Sequence, residues 1–333
     1  MRAQRPDRTS SADRDGARDR VKTGENAHRA HGAADDADAT AESTENIAAL
    51  RRVLDLEPLS APGVGGEEHS FLGWNQPKPG GRLFGGQVLA QCVMATSATV
   101  AEDRPIHSFH GYFLRAGAVD KELTFGVDVL RDGRSFSARR VQAYQDGQPI
   151  FTGMASFQDS QEGASHQDAM PEDIPGPEEL ANLAQQLSGH QHPHLEGWVF
   201  KRPFEIRPVE PAIQAEFRGE QVALSRFWVR PISPFRGDRV SSAAAVAYAS
   251  DYSLLEPTLR RHGVPWYTPG LRMASLDHAM WWHAPIDVDD WLLFDFSAPR
   301  SGGGRALGAG RVFSRDGVLV ANVAQQGMVR IPG

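Results

Sequence analysis

Between Met273 and His283 the chain reads MASLDHAMWWH, which sets Ser275, Asp277 and His278 almost side by side. Those three residue types suggest hydrolysis, but their spacing argues against the simplest version of it. In one extended strand successive side chains point to opposite faces. Ser275 and Asp277 then share a face and His278 takes the other. His283 returns to the Ser275 face, but about 26 Å away at roughly 3.3 Å per residue. Neither histidine can serve Ser275 as a local base, and a Ser–His–Asp triad is defined by geometry rather than adjacency. The G-x-S-x-G elbow of serine hydrolases is absent from the chain. Any hydrolysis here is expected to turn these polar groups on a water molecule.

The elements that must position these groups fall into two similar halves. Residues 1–45 are rich in Arg, Asp, Ala and Gly and nearly free of large apolar side chains. Such a segment buries too little surface to offset its ordering entropy, and it reads as a disordered tail. Residues 46–160 open with a helix whose apolar Ile47, Leu50, Val53 and Leu54 have helical spacing. A second helix, apolar on most sides and so expected to be buried, starts at Gly85-Gly86. Strand-like runs follow, with turn signals at Asp132-Gly133 and Asp146-Gly147. Residues 161–196 are rich in Pro, Gly, Gln and His and read as a linker with a short helix after Pro177. Residues 197–333 repeat the plan. An Ala-rich helix carries Asp251 in its interior, MASLDHAMWWHAP is a strand, and a further Asp-Gly turn stands at Asp316-Gly317. With His110 set against His278, the later Asp-Gly turns of the two halves fall at similar distances. Two copies of a long buried helix wrapped by a curved antiparallel sheet make an α+β fold of double-hotdog type.

Composition narrows the function classes. With 333 residues, 40% hydrophobic and 23% charged, the chain suits two soluble domains. The net charge of −7 with no dominant basic patch argues against nucleic acid as a main partner. A single cysteine, Cys92, rules out an intramolecular disulfide framework and a Cys-rich metal site. Inside an apolar helix it reads as an inert core residue. No apolar run reaches the ~18 residues of a membrane span. No secretory h-region follows Met1, and the last three residues are not a Ser-Lys-Leu address, so a cytoplasmic location is expected. GGGRALGAG (302–310) has the spacing of neither a P-loop nor a dinucleotide fingerprint. His190, His192 and His194 are metal-ligand types, but in a Pro-containing linker with no fourth partner they do not make a site.

Seven stretches, in order along the chain, resemble the acyl-CoA thioesterase II family: LFGGQVLAQ (83–91), HSFHGYFLR (107–115), LRDGRSFSARRV (130–141), PFEIRPV (203–209), YASDYSLL (248–255), ASLDHAMWWH (274–283) and VAQQGMVR (323–330). The resemblance implies a double hotdog that hydrolyses acyl-CoA to fatty acid and CoA, with a site in the second half; the first half has no acid matching Asp251 and no evident match to Gln325, so one site per chain is expected. It also implies that Asp251, Ser275 and Gln325 hold the attacking water, with no metal or other cofactor. Ser275 stands where Thr is frequent in the family, Gln326 where an acid follows the catalytic Gln, and Leu114-Arg115-Ala116-Gly117 where Arg-Pro-Gly is usual.

The residues can also be weighed apart from the family. Aspartate is a poor residue inside a helix and costly to bury unpaired. Asp251 therefore either faces solvent or has a task, and partial burial would raise its pKa toward that of a useful base. Ser275 can be a plain strand residue or a hydrogen-bond partner for water. Gln325 can be a satisfied strand amide or a neutral clamp, and Gln326 would face the other way. Asp277 and His278 are expected to form a buried pair that pins the strand, with Asp277 the alternative acid. His107 and His110 read as core or interface residues. Gly85, Gly86 and Gln87, opening a helix, could offer N–H groups to an oxyanion. Arg131 and Arg134, with Arg139 and Arg140 nearby, could meet CoA phosphates or simply be solvated. An acyl-CoA partner and pairing into a homo-oligomer, a dimer of double hotdogs, are expected. The alternatives are a non-catalytic acyl-CoA sensor and an enoyl-CoA hydratase-type enzyme.

Overall fold

The structure, a computed structural model, describes residues 43–78, 80–190, 195, 199 and 201–332. Most of the expected tail, and with it residues 1–42, lies outside the described residues, as do His192 and His194. The described chain has a hotdog-like α+β fold, with central helices against a curved sheet. A helix over 43–54 buries the face that its apolar spacing predicts: Ile47, Leu50, Val53 and Leu54.

The first half supplies strands β1 (Glu57–Leu59), β2 (His69–Gly73), β3 (Ile106–Phe113), β4 (Leu123–Asp132), β5 (Phe136–Gln145) and β6 (Gln148–Gln158). The second supplies β7 (Phe204–Pro208), β8 (Leu224–Pro231), β9 (Arg272–Ser275), β10 (Asp277–Trp282), β11 (Leu292–Gly302), β12 (Arg305–Ser314) and β13 (Leu319–Arg330). All lie in one sheet of order β1-β2-β4-β5-β6-β3-β10-β13-β12-β11-β8-β7, with β9 pairing to β13. The halves join at β3 and β10, where Phe109 pairs with Met280 and Gly111 with His278. The hairpin signals are realised at β5–β6, where Asp146 and Gly147 take φ of 50° and 70°. The glycine run near residue 303 makes the β11–β12 turn, with Gly303 and Gly304 at positive φ.

Two central helices fill the concave side. The first, Gly85–Ser97, follows β2; the second, Arg239–Ser250, follows β8. Both are buried over most of their length, and Cys92 sits in this core with no exposure. The second helix is alanine-rich for a steric reason: it packs against the first with little room between backbones. A Cβ added at Gly86 would overlap the carbonyl oxygen of Tyr248. The second helix is shorter than its pattern predicts. It stops at Ser250, and Asp251–Leu255 form turns. A separate helix, Glu256–His262, then carries Pro257 in its first turn and closes on Gly263 at φ 65°.

Within the expected linker, the described residues 161–190 form a strap over the second half. Met170, Ile174 and Leu180 pack on Trp228, Trp291 and Phe313. The Trp228 indole N–H donates to the Pro175 carbonyl at 2.9 Å, and Gln167 bonds both Gly317 and Leu319. Its short helical pieces are Pro177–Glu179 and Leu183–Gln186.

Gly→Ala within a helix ordinarily stabilises by about 0.5–1 kcal/mol. At Gly86 the sign should reverse, because the added methyl meets backbone rather than a yielding side chain. Urea unfolding of Gly86→Ala is expected to show a loss of about 1–3 kcal/mol.

Candidate active site

Asp251 is the C-cap of the second central helix, not an interior residue as its pattern suggests. It stands where the carbonyl end of its own helix is partially negative and meets the partially positive start of the other. That start has been left open. Phe84 at the N-cap gives no side-chain hydrogen bond, and two glycines follow. The Gly86 N–H donates to the Asp251 carboxylate. A Cβ at Gly85 would stand 2.5 Å from Asp251 Oδ2, so the close approach requires a glycine. Aromatic rings fix the junction: Phe84 stacks on Tyr252 at 5.0 Å and meets Tyr248 edge-on at 5.1 Å.

The strand holding Ser275 is broken by a shift of register. β9 pairs Ser275 with Gly327, whereas β10 pairs Ala279 with Ala324, so one extra residue is taken up between them. Leu276 takes up the slip. Its N–H donates to the Gln326 carbonyl at 2.9 Å, and its own carbonyl accepts from the Phe113 N–H at 2.9 Å. This overturns the simple alternation of faces. Ser275 and His278 both reach Gln325, while Asp277 turns away and accepts the Gln326 backbone N–H at 2.7 Å. Asp277 and His278 therefore form no pair, and Asp277 is not among the residues lining the cavity.

The three groups singled out in the second half are brought together. Ser275 Oγ donates to Asp251 Oδ1 at 3.3 Å, and Gln325 Nε2 donates to Ser275 Oγ at 2.7 Å. Gln325 is buried and Gln326 faces the other way, as the strand period predicts. Burial raises the Asp251 carboxyl from its ordinary 3.8 to about 7, against hydrogen bonds from Gln325, Ser275 and the Gly86 N–H that lower it. A carboxylate poised near neutrality is suited to taking a proton from water.

A cavity of about 450 Å³ opens onto these groups. Leu83, Leu255 and Met273 contribute apolar walls, and Arg82 stands at an exposed position beside them. Arg202, a residue not singled out in the sequence, also lines it. It is buried, with its guanidinium 4.5 Å over the Tyr252 ring. Burial, and then the Arg202 charge, lower the nearby Lys78 to about 8.

Other expected site residues are placed differently. Gly85 lines the cavity, but the Gly86 N–H is occupied by Asp251. The Gln87 side chain points back into the 74–76 loop, accepting from the Gln76 N–H at 3.1 Å and donating to the Trp74 carbonyl at 3.3 Å. Arg131 and Arg134 are exposed near the β4–β5 turn, which Arg104 ties down. Nearby, Arg139 bonds Thr99, just past the far end of the first helix. That is about 20 Å from Gly85 at 1.5 Å per residue, so this chain does not bring them to the cavity. Arg139 is buried on Asp132 and Arg140 pairs with Asp128. His107 bonds Ser156, and His110 lies exposed against Trp281. His110 and His278 are thus not equivalent, since one faces out and the other in. His190 lies 3.4 Å from Glu216, and no cluster of three or more metal-ligating groups occurs among the described residues.

Residues 196–328 match the family described as "Acyl-CoA thioesterase", and residues 74–158 match "Acyl-CoA thioesterase N-terminal domain". The chain is 38% identical to human "Acyl-coenzyme A thioesterase 8" over 291 residues, 84% of this chain and 88% of the relative. It is 33% identical to "Acyl-CoA thioesterase 2" of Haemophilus influenzae, over 78% of this chain and 92% of the relative. The crystal structure of "Acyl-CoA thioesterase II TesB2" from Mycobacterium marinum superposes with a TM-score of 0.67 at 36% identity, covering 86% of this chain and 98% of that one.

The raised Asp251 pKa makes a stability prediction. Between 3.8 and about 7 the unfolded chain has released this proton and the folded protein has not. Stability present below pH 4 is therefore lost as pH rises through 7. Asp251→Asn removes the loss. Urea titrations should show the variant matching wild type near pH 4 and exceeding it above pH 7, by at most about 4 kcal/mol.

Proposed function

This chain belongs to the acyl-CoA thioesterase family, and on that footing we propose that a water molecule held by Asp251, Ser275 and Gln325 attacks the acyl-CoA thioester carbonyl directly. Asp251 takes a proton from the water as its oxygen bonds to the carbonyl carbon. The carbonyl electrons move onto oxygen, where the Gly85 N–H at the uncapped helix start is the proposed donor. Collapse of this intermediate breaks the C–S bond. The departing CoA sulfur takes the proton held by Asp251, and the acid is released with its own proton lost to solvent. Water supplies all the oxygen that is added, and no redox change occurs.

The observation that carries this reading is the Asp251–Ser275–Gln325 contact at the floor of the cavity, with the carboxyl raised to about 7. Ser275 is already engaged with a carboxylate and an amide, so it suits orienting water better than attacking carbon. We also read the sheet as two tandem hotdog repeats. Its path β1-β2-β4-β5-β6-β3 is mirrored by β7-β8-β11-β12-β13-β10, and each half contributes one central helix.

The test is thiol release from a panel of short- to long-chain acyl-CoA thioesters. Wild-type kcat/KM should rise with pH through about 7, because the base works only when ionised. Asp251→Asn should lower turnover by about 100-fold or more and abolish that limb. Binding without turnover by wild type on every chain length would instead support the sensor reading.

A further inference from the structure

We propose that His278 is a positioning residue: it holds the Gln325 amide in the one orientation that turns its N–H groups toward Ser275 and Asp251. This inference rests on the water-activation reading and adds to it a group that never meets substrate.

His278 is 1% exposed, lies behind Gln325 and is absent from the cavity lining. Its Nδ1 is 2.6 Å from Gln325 Oε1, and its Nε2 is 3.0 Å from Ser250 Oγ. An amide oxygen only accepts, so Nδ1 must carry the proton. Burial lowers the ring's pKa to about 4, so it is neutral at working pH and Nε2 has none. Nε2 faces Ser250 Oγ, and the Ser250 hydroxyl donates to the Ala247 carbonyl at 2.9 Å. Ser250 is the last residue of the second central helix, next to Asp251.

The donors now run one way. His278 donates to Gln325, Gln325 to Ser275 and Ser275 to Asp251. The chain ends on the carboxylate, and each bond polarises the next. Rotating the amide by half a turn breaks this order. Its oxygen would then face Ser275, whose hydroxyl would donate to it and abandon Asp251. The carboxylate would lose two of its three donors and keep only the Gly86 N–H. Among the groups around Asp251, Tyr252 is the titratable one that feels its charge. Neither Tyr252 nor Arg202 bonds Gln325 among the described residues, so neither can fix that orientation in place of His278.

Three substitutions, two of them also combined, and one spectroscopic measurement test this. His278→Leu removes the donor; His278→Asn retains an N–H near the position of Nδ1. The Leu variant should lose on the order of 10- to 100-fold in kcat with little change in KM. Its acid limb should move upward as Asp251 loses donors, and the Asn variant should recover most of both. In a Gln325→Ala background His278→Leu should add almost nothing, since it acts only through Gln325. Equal losses in the two backgrounds, or an Asn variant that stays folded yet is no better than Leu, would overturn the proposal. Histidine-selective ¹⁵N NMR of wild type should show His278 as the neutral Nδ1–H tautomer across the neutral range, and an Nε2–H tautomer would refute it. That readout needs no turnover. If wild type hydrolyses no acyl-CoA, the function reading fails while the tautomer still decides the role of His278.

Discussion

The structure depends on one buried carboxylate shared between two helix ends. Asp251 closes the second central helix and receives the Gly86 N–H from the start of the first. On its own helix it would meet only carbonyl oxygens and the unfavourable end of the dipole. The opposing helix start reverses that field at the same point. The features around it follow from bringing the two ends together. Glycines allow the approach, alanines let the helices pack closely, and the Phe84–Tyr248–Tyr252 rings hold the junction. Three hydrogen bonds do not restore what burial takes away, and the carboxyl stays near neutrality rather than strongly acidic.

Around that carboxylate, backbone irregularity sets side-chain chemistry. A regular strand from Met273 to Trp282 would put His278 on the face opposite Ser275. The slip at Leu276 gathers Ser275, His278 and Gln325 on one side and leaves Asp277 to bond the Gln326 backbone N–H. Both acids were candidates for the same task. Asp277 is engaged with backbone, whereas Asp251 faces the cavity.

Much of this was legible in the chain, for identifiable reasons. The helix over 43–54, the two central helices and the hairpin at Asp146-Gly147 rest on periodicity and turn chemistry, which are local. The strand period also predicts that Gln325 and Gln326 face opposite ways, whereas the choice of Gln325 came from the family resemblance. β2, β7 and β8 were not anticipated, because short strands flanked by irregular segments have too little alternation to stand out. The stop at Ser250 was missed although Pro257 signals it, because apolar spacing runs on through Leu254 and Leu255. The slip at Leu276 has no local signature; it arises where one strand must satisfy both β3 and β13. Arg202 escaped notice because its importance comes from a cavity assembled by distant segments.

The two central helices are built to different termini. The second supplies its own N-cap, with the Asp238 carboxylate accepting the Ser241 N–H at 2.7 Å, and the first closes on Ala98 where the second closes on Asp251. Two identical subunits would have to place the same residues at both junctions. Covalent linkage removes that obligation: one helix can specialise as donor and the other as acceptor, and a substitution at one junction has no obligatory echo at the other. The near-symmetric sheet thus carries one helix junction of fixed polarity, and the second junction is free to drift toward packing alone.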